Sequence, residues 1–440
     1  MTAPRPQRIL HLDGDAYFAS CEVALDPALR GKSVFVGGGR RGDGIVIAAN
    51  YQAKRYGIKV GMACFEAKRR CPEGVLVKPH YDEYRRLSLE MFRRARRYTP
   101  LLVPTSIDEG FLDFTDMPDV FRCADAGELV GKMKRELAEE VGIPVSAGLA
   151  SSRWLAKLAT ESCKPDGFCE VKEGEERTFL KDVPVQKLVG IAERRARSLR
   201  ALGVWTLGDV ALLPLEILRR RFGVFGEELW LLARGELRER LSLSNKQRTC
   251  IGSATTLPYD EPDYDAALLF LLDQTERVIT TFVRENLKAH EMGVYLRFKE
   301  RDGAGLGVRF AGAQFEPRVI NAEVERIFWQ LVTGRTDPIR QVCVNFWNME
   351  PLNLEPDLFG YNQDFKRREL HHALESIEHQ CGKGAVKTGT RLLLEIEVAH
   401  LVGDKPKCPF IPQREMELKM AELDLPRTWG RSTSRAVKFA

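Results

Sequence analysis

No run of about 18 apolar residues occurs in the 440 residues, so no membrane-spanning helix is expected. The opening MTAPRPQRILHLDGD lacks the apolar core and small-residue cleavage site of a secretory leader, and a cytoplasmic location is expected. The ten cysteines include no C-x-x-C pair, and with the seven histidines they form no zinc-finger spacing. Free thiols, many of them buried, are therefore expected in place of disulfides or a structural metal. Neither charge sign dominates: 67 Lys and Arg face 62 Asp and Glu, for a net charge of +5. That balance admits a polyanionic partner without requiring one.

What is present suits a multidomain globular chain. At 44% hydrophobic and 29% charged, 440 residues exceed one ordinary core, and roughly two to four domains are expected. Basic clusters at Arg93–Arg97, Arg194–Arg200, Arg219–Arg221 and Arg234–Arg248 recur through the middle of the chain. Each alone reads as a solvated helix face; their recurrence favours a nucleic acid.

Element signals alternate early. Arg8–Leu12 reads as a buried strand ending at Asp13-Gly14-Asp15, and a helix is expected from Ala16. Strands follow at Ser33–Val36 and Ile45–Ala49, separated by Gly37-Gly38-Gly39, which reads as a turn because no G-K-[ST] closes it. Helices are expected over Tyr51–Tyr56, Phe65–Arg70 and Tyr81–Tyr98. Val103–Phe114 reads as two strands about a bend holding Asp108 and Glu109. A helix over Gly127–Val141, a strand over Val145–Ala150 and a helix over Trp154–Thr160 complete a β-α-β-β-α-β pattern, an α+β plan.

From Pro184 to Gly235 the pattern is helical, and Gly190-Ile191-Ala192 resembles the hairpin of a helix-hairpin-helix, with Ala192 in place of the usual second glycine. A plain helical packing unit reads equally well. A polar linker, Glu236–Gln247, precedes a second module: a strand over Ile251–Leu257, a helix over Asp263–Ala289, alternating strands around Met292–Phe298 and Leu306–Phe310, a helix over Asn321–Val332 capped by Asn321, and a strand at Val342–Phe346. Arg297, Lys299 and Arg309 lie on its polar strand faces, as DNA-phosphate contacts or as a salt-bridged surface.

Three carboxylates carry the chemistry. Asp13 ends a strand, while Asp108 and Glu109 lie at a distant bend that a sheet can bring beside it. Such an oxygen-rich pocket suits hard divalent cations, and two of them about 3.5–4 Å apart would serve phosphoryl transfer. Singly, these acids read as a helix cap and a turn. Set together among apolar strands, they favour a metal site.

The run His11-Leu12-Asp13-Gly14-Asp15-Ala16-Tyr17-Phe18-Ala19-Ser20-Cys21-Glu22 resembles the first motif of the Y-family, lesion-bypassing DNA polymerases of the polymerase IV type. Ala49–Lys54, Ser106–Asp113, Leu155–Ala159 and Lys164-Pro165-Asp166-Gly167 follow in that family's order and spacing. The likeness covers roughly residues 8–350. It implies a right-hand polymerase with a ferredoxin-like palm, small fingers, a helical thumb with a helix-hairpin-helix, and a separate β-α-β-β-α-β little finger. The implied limits are palm 1–16 and 78–172, fingers 17–77, thumb 173–237, linker and little finger 238–350, and a tail 351–440.

The implied activity is template-directed addition of deoxynucleotides to a primer 3′ end, at low fidelity and without proofreading. The implied cofactor is two Mg2+ ions per site, on Asp13, Asp108, Glu109 and the Gly14 carbonyl. Tyr17, Phe18, Tyr51, Lys54 and Lys164 match nucleotide-contacting positions, and Phe18 matches the steric gate against a 2′-OH. Asp15 matches the second acid of the first motif, with a structural role equally open. Lys54 stands where Arg is common, Ala48 where a hydroxyl is common, Gly110 where Ala is common, and Gly14 where a larger apolar residue is common. Asp357-Leu358-Phe359 resembles a sliding-clamp-binding peptide. The implied partners are primer-template DNA, deoxynucleoside triphosphates and a clamp, with a monomer expected. The rival readings are a catalytically silent damage adaptor of the same fold and a helix-hairpin-helix repair protein. Retention of the three acids argues against both.

Overall fold

Strand β1, Ile9–Gly14, is buried along its whole length, as a strand covered on both faces must be. Alternation sends Leu10 and Leu12 into one core, with Tyr84, Phe92, Leu112 and Met133. It sends Ile9 into another, with Leu155, Ala156 and Ala159. His11 and Asp13 share the Ile9 face.

The computed structural model describes residues 7–38, 44–123, 125–238, 241, 249–300 and 302–352, with isolated helical positions between 366 and 380. It divides into two compact units, one within Met1–Asn245 and one within Lys246–Pro409.

In the first unit β1 is the centre of a five-stranded sheet. The other strands, in chain order around a small separate sheet, are β2 (Val34–Gly37), β3 (Val46–Ala49), β4 (Val75–Val77), β5 (Leu102–Pro104), β6 (Glu109–Asp113), β7 (Val145–Ala150) and β8 (Phe168–Glu170). The large sheet runs β5-β6-β1-β7-β8, and the small one β3-β2-β4. β1 is antiparallel to both β6 and β7, while β8 joins β7 in parallel. Helices Tyr81–Ala95 and Ala126–Glu140 bury Tyr84, Met91, Phe92, Leu129, Met133 and Leu137 in the core that takes Leu10 and Leu12. Helix Arg153–Cys163 packs on the opposite face, capped by Ser152, whose Oγ accepts from the Leu155 N–H. Its backbone approaches so closely that a Cβ at Gly148 of β7 would stand 2.3 Å from the Ala156 carbonyl oxygen.

The small sheet has its own core of Phe35, Val46, Ile58, Cys64, Ala67 and Cys71. β4 and β8 had no sequence signal: three residues are too few to show a period. Short helices follow from Glu176 to Ala233, with Gly190 at φ 93 just before helix Glu193–Arg200.

The second unit runs β9 (Cys250–Glu261), helix Tyr264–Glu285, β10 (Leu287–Phe298), β11 (Gly303–Gln314), helix Pro317–Val332 and β12 (Ile339–Pro351). Its antiparallel sheet has the order β11-β10-β12-β9. Two expectations are corrected here. The long helix stops at Glu285, not Ala289, because Asn286 takes the left-handed conformation (φ 53) that Asn tolerates. Leu287–Ala289 then open β10, paired with Met349–Pro351. Asn321 is no cap either: its helix starts at Pro317, whose ring presets the first turn. Among the described residues no helix is long and apolar enough to cross a membrane.

Candidate active site

Backbone register brings the two acidic stretches together. Asp13 on β1 is the cross-strand partner of Glu109 on β6, and the Gly14 N–H donates to the Asp108 carbonyl at 2.8 Å. The bend between β5 and β6 is held by Ser106. Its Oγ accepts from the N–H groups of Asp108 and Glu109, both at 3.2 Å, and also bonds the Asp108 carboxylate. The Thr105 and Ser106 N–H groups close the bend on the Glu109 carbonyl at 2.9 and 3.1 Å. Glycine at position 14 leaves Tyr17 its place: a Cβ there would come 2.8 Å from the Tyr17 ring.

Two of the acids face a cation of the chain. Lys164 Nζ lies 2.9 Å from Asp13 Oδ1, and Lys157 Nζ 2.5 Å from Glu109 Oε2. Burial nevertheless pushes the Asp13 carboxyl up to about 7, against the pull of Lys164 and with repulsion from Asp108 and Glu109. Burial also raises Asp108, partly offset by its bond to Ser106. For Glu109 burial acts upward too, but His11 and Lys157 beside it win and hold it at about 2. Burial lowers Lys164, and the Asp13 and Glu161 charges overcome it, so the ammonium is held above its ordinary range.

The structure places the remaining candidates around this pair. Asp15 is buried and fully engaged: Ser146 Oγ donates to it at 2.8 Å, the Asp166 N–H at 2.7 Å and the Tyr51 hydroxyl at 3.3 Å. It ties the first motif to the Lys164–Gly167 loop. Burial, with Asp15 beside it, pushes the Tyr51 phenol up to about 12. Lys54 Nζ sits 4.3 Å from the Tyr51 ring centroid, and burial followed by the Lys164 charge lowers its pKa. Phe18 stacks on Tyr84 with centroids 4.7 Å apart and meets Tyr81 edge-on at 6.0 Å. Tyr17 is buried, and its hydroxyl donates to the Tyr84 carbonyl at 2.6 Å. In the second unit Arg297 donates to Gln341 at 3.0 Å, and Arg309 is largely exposed, 4.0 Å from Glu291. Asp357, Leu358 and Phe359 lie outside the described residues.

Sequence reasoning assigned no role to His11, Lys157, Ser106 or Ser146. Two signals were available. His11 lies two residues before Asp13 on one strand, hence on the same face. Lys157, Thr160 and Lys164 follow helical spacing along one side of Arg153–Cys163 and its C-terminal cap. His11, Asp13 and Glu109 each offer an atom within 4.8 Å of the others.

Residues 12–161 match the model of the impB/mucB/samB family, and residues 248–355 match that family's C-terminal domain. The chain belongs to the Y family of DNA polymerases. It is 29% identical to DNA polymerase IV 1 of Bacillus subtilis over 88% of this chain and 94% of that one. It is 32% identical to DNA polymerase IV of Dehalococcoides mccartyi, covering 87% and 97% respectively. A solved Y-family DNA polymerase chimera of Dbh and Dpo4 superposes with a TM-score of 0.69 at 26% identity, covering 79% of this chain and all of the other. This polymerase is thus a DNA-directed enzyme of translesion synthesis, with an α+β fold.

Proposed function

We propose that this polymerase transfers nucleotides by a two-metal mechanism at Asp13, Asp108 and Glu109, with Mg2+ as the ion. The cross-strand pairing of Asp13 with Glu109 carries this reading, because it joins two stretches nearly a hundred residues apart into one acidic pocket. The donors fit the ions. They are carboxylate oxygens beside the Gly14 backbone, the set a hard cation takes. Burial makes the charged form of Asp13 costly even with Lys164 beside it, a cost that a bound cation would offset. When bound, the ions supply charge neutralisation at the reacting phosphate and activation of the primer 3′-hydroxyl.

The chain's own residues do the rest. Lys164, Lys54 and the Tyr51 hydroxyl surround the place where a triphosphate's charge would be met. Lys164 exchanges its Asp13 contact for phosphate when nucleotide arrives. Ser106 holds the Asp108 carboxylate against rotation. Phe18, backed by Tyr84, presents a flat ring under the sugar and leaves no space for a 2′-OH. Tyr17 anchors that helix from within the core.

The architecture reads as a right hand: palm at 1–16 and 78–172, fingers at 17–77, thumb at 173–237, and linker plus little finger at 238–350. The Gly190–Ala192 hairpin reads as a helix-hairpin-helix that directs N–H groups at a DNA phosphate. Primer-template DNA and deoxynucleoside triphosphates are the substrates, with the protein acting as a monomer. Asp357-Leu358-Phe359, in the tail 351–440, reads as a clamp-binding peptide. Clamp capture unchanged by Leu358→Ala with Phe359→Ala rejects that part.

Primer extension with Mg2+ and four deoxynucleotides tests the core proposal. Wild type extends, and Asp108→Ala or Glu109→Ala each lose at least about a hundredfold in rate, as expected when charge stabilisation in a transition state is removed. Equal extension by wild type and both variants rejects the site.

A further inference from the structure

Glu22 is a carboxylate buried to 3% exposure behind Phe18, and the polymerase chemistry gives it no part. A buried acid needs partners, and two are in place. The Tyr84 hydroxyl donates to Glu22 Oε1, and His80 Nδ1 lies 3.0 and 3.1 Å from the two carboxylate oxygens. Phe18 and Glu22 stand four residues apart on helix Tyr17–Leu25, so they share one face a turn apart. Tyr84, from helix Tyr81–Ala95, spans both positions. Its ring stacks on Phe18 with centroids 4.7 Å apart and planes 19° from parallel, while its hydroxyl reaches Glu22. At the other end of the residue, the Tyr17 hydroxyl donates to the Tyr84 carbonyl at 2.6 Å. Burial, and then the bond to Glu22, push the Tyr84 phenol far above its ordinary value, so it stays a donor throughout the working range.

We propose that Glu22 is a positioning residue for sugar selection: through the Tyr84 hydroxyl it fixes the lean of the Tyr84 ring, and so the depth at which Phe18 meets the sugar. Stacked rings slide over one another at little cost, because the contact between their faces is broad. A hydrogen bond is directional, and one to a carboxylate is stronger than a neutral one. The ring is therefore held by stacking at one point of helix Tyr17–Leu25 and by a directed bond at another. His80 pins the same carboxylate from its outer side. Glu22 acts at one remove from the substrate. The inference rests on the reading of Phe18 as the gate against a 2′-OH, and it adds the residue that sets how tightly the gate is held.

The test uses the full chain in single-nucleotide kinetics opposite a template G, and reads the ratio of kcat/KM for dCTP to that for CTP. Glu22→Ala and Tyr84→Phe should each lower this ratio about fivefold, the factor that corresponds to one net hydrogen bond of ordinary strength. Glu22→Gln should keep most of it, because the amide oxygen still accepts from the Tyr84 hydroxyl. Glu22→Ala combined with Tyr84→Phe should lose no more than either alone, since both remove the same contact. Leu137→Ala, which takes apolar volume from the same core without touching these residues, should melt earlier and keep the wild-type ratio. Multiplied losses in the double variant, or an equal loss in Leu137→Ala, overturn the proposal. So does a wild-type ratio in Glu22→Ala and Tyr84→Phe when Phe18→Ala loses discrimination, and that result leaves the gate reading intact. An unchanged ratio in Phe18→Ala overturns the gate reading itself. Tyr84→Phe keeps the buried ring and decides the matter even if Glu22→Ala folds poorly.

Discussion

At residue scale the site separates groups set for chemistry from groups that hold them. Asp15 shows the second kind. Its carboxylate accepts from Ser146, the Asp166 N–H and Tyr51 within a buried setting. Asp15→Ala strands those donors and should cost about 1–3 kcal/mol in urea unfolding, with nucleotide KM raised because Tyr51 and the Lys164 loop lose a tie. An unfolding midpoint equal to wild type contradicts that role. Under the proposed mechanism Phe18 belongs to the first kind. Truncation to Ala opens space beneath the sugar, and the ratio of deoxyribonucleotide to ribonucleotide incorporation should fall by a factor of about ten or more, as a removed steric clash permits. Discrimination unchanged in single-nucleotide kinetics would make Phe18 only a packing partner of Tyr84. The acids proposed to carry the chemistry were legible from their residue types and spacing. His11 and Lys157 were not, because their meaning comes from what lies opposite them across the sheet and on the neighbouring helix.

At element scale, caps and close approaches decide stability. Gly148 lets helix Arg153–Cys163 lie on β7. Gly148→Ala sets a methyl against the Ala156 carbonyl and the Thr160 N–H, at 2.3 and 2.4 Å. Overpacking of this kind costs about 1–3 kcal/mol, measurable by thermal melting. Helix Leu207–Leu212 starts with a capping box in which Thr206 Oγ1 accepts from the Asp209 N–H and the Asp209 carboxylate accepts from the Thr206 N–H. Thr206→Ala should cost about 1 kcal/mol. The Asp209 carboxyl is held below its usual range by the Thr206 and Trp205 N–H groups. A folded-state value below the unfolded one means its contribution is present above about pH 4 and is lost as pH falls through the folded value. The stability gap between wild type and Asp209→Asn should therefore shrink from pH 7 to pH 3; a gap independent of pH removes the carboxylate from the box. Strands and helices with a clear period were readable here. The three-residue β4 and β8 were not, and Asn286 ended a helix that its apolar pattern prolongs on paper, because a left-handed residue turns the chain there into a strand.

At the scale of the whole molecule, two compact units keep separate cores. Phe346 is fully buried in the second, edge-on to Phe282 at 5.0 Å. Phe346→Ala should cost that unit about 3–5 kcal/mol. Hydrogen exchange should accelerate across β9–β12 while the amides of β1, β6 and β7 keep their protection; equal acceleration in both units would show a single cooperative fold. The repeated β-α-β-β-α-β order of the second unit could be read from alternation in the strands and from two long amphipathic helices between them. Its strand order could not, since alternation says which face is apolar and not which strand lies beside which.

The sequence by itself determined the α+β elements, the acids at Asp13, Asp108 and Glu109, and the resemblance to a polymerase family. These follow from residue type, period and spacing, all of which are local. Only the tertiary structure decided that Asp13 pairs with Glu109 in register, that Lys164 and Lys157 sit opposite them, and that the buried His11 ring faces Glu109. Those facts depend on strand register and on helix packing across a sheet, where residues far apart in the chain meet and one side chain sets the charge of another.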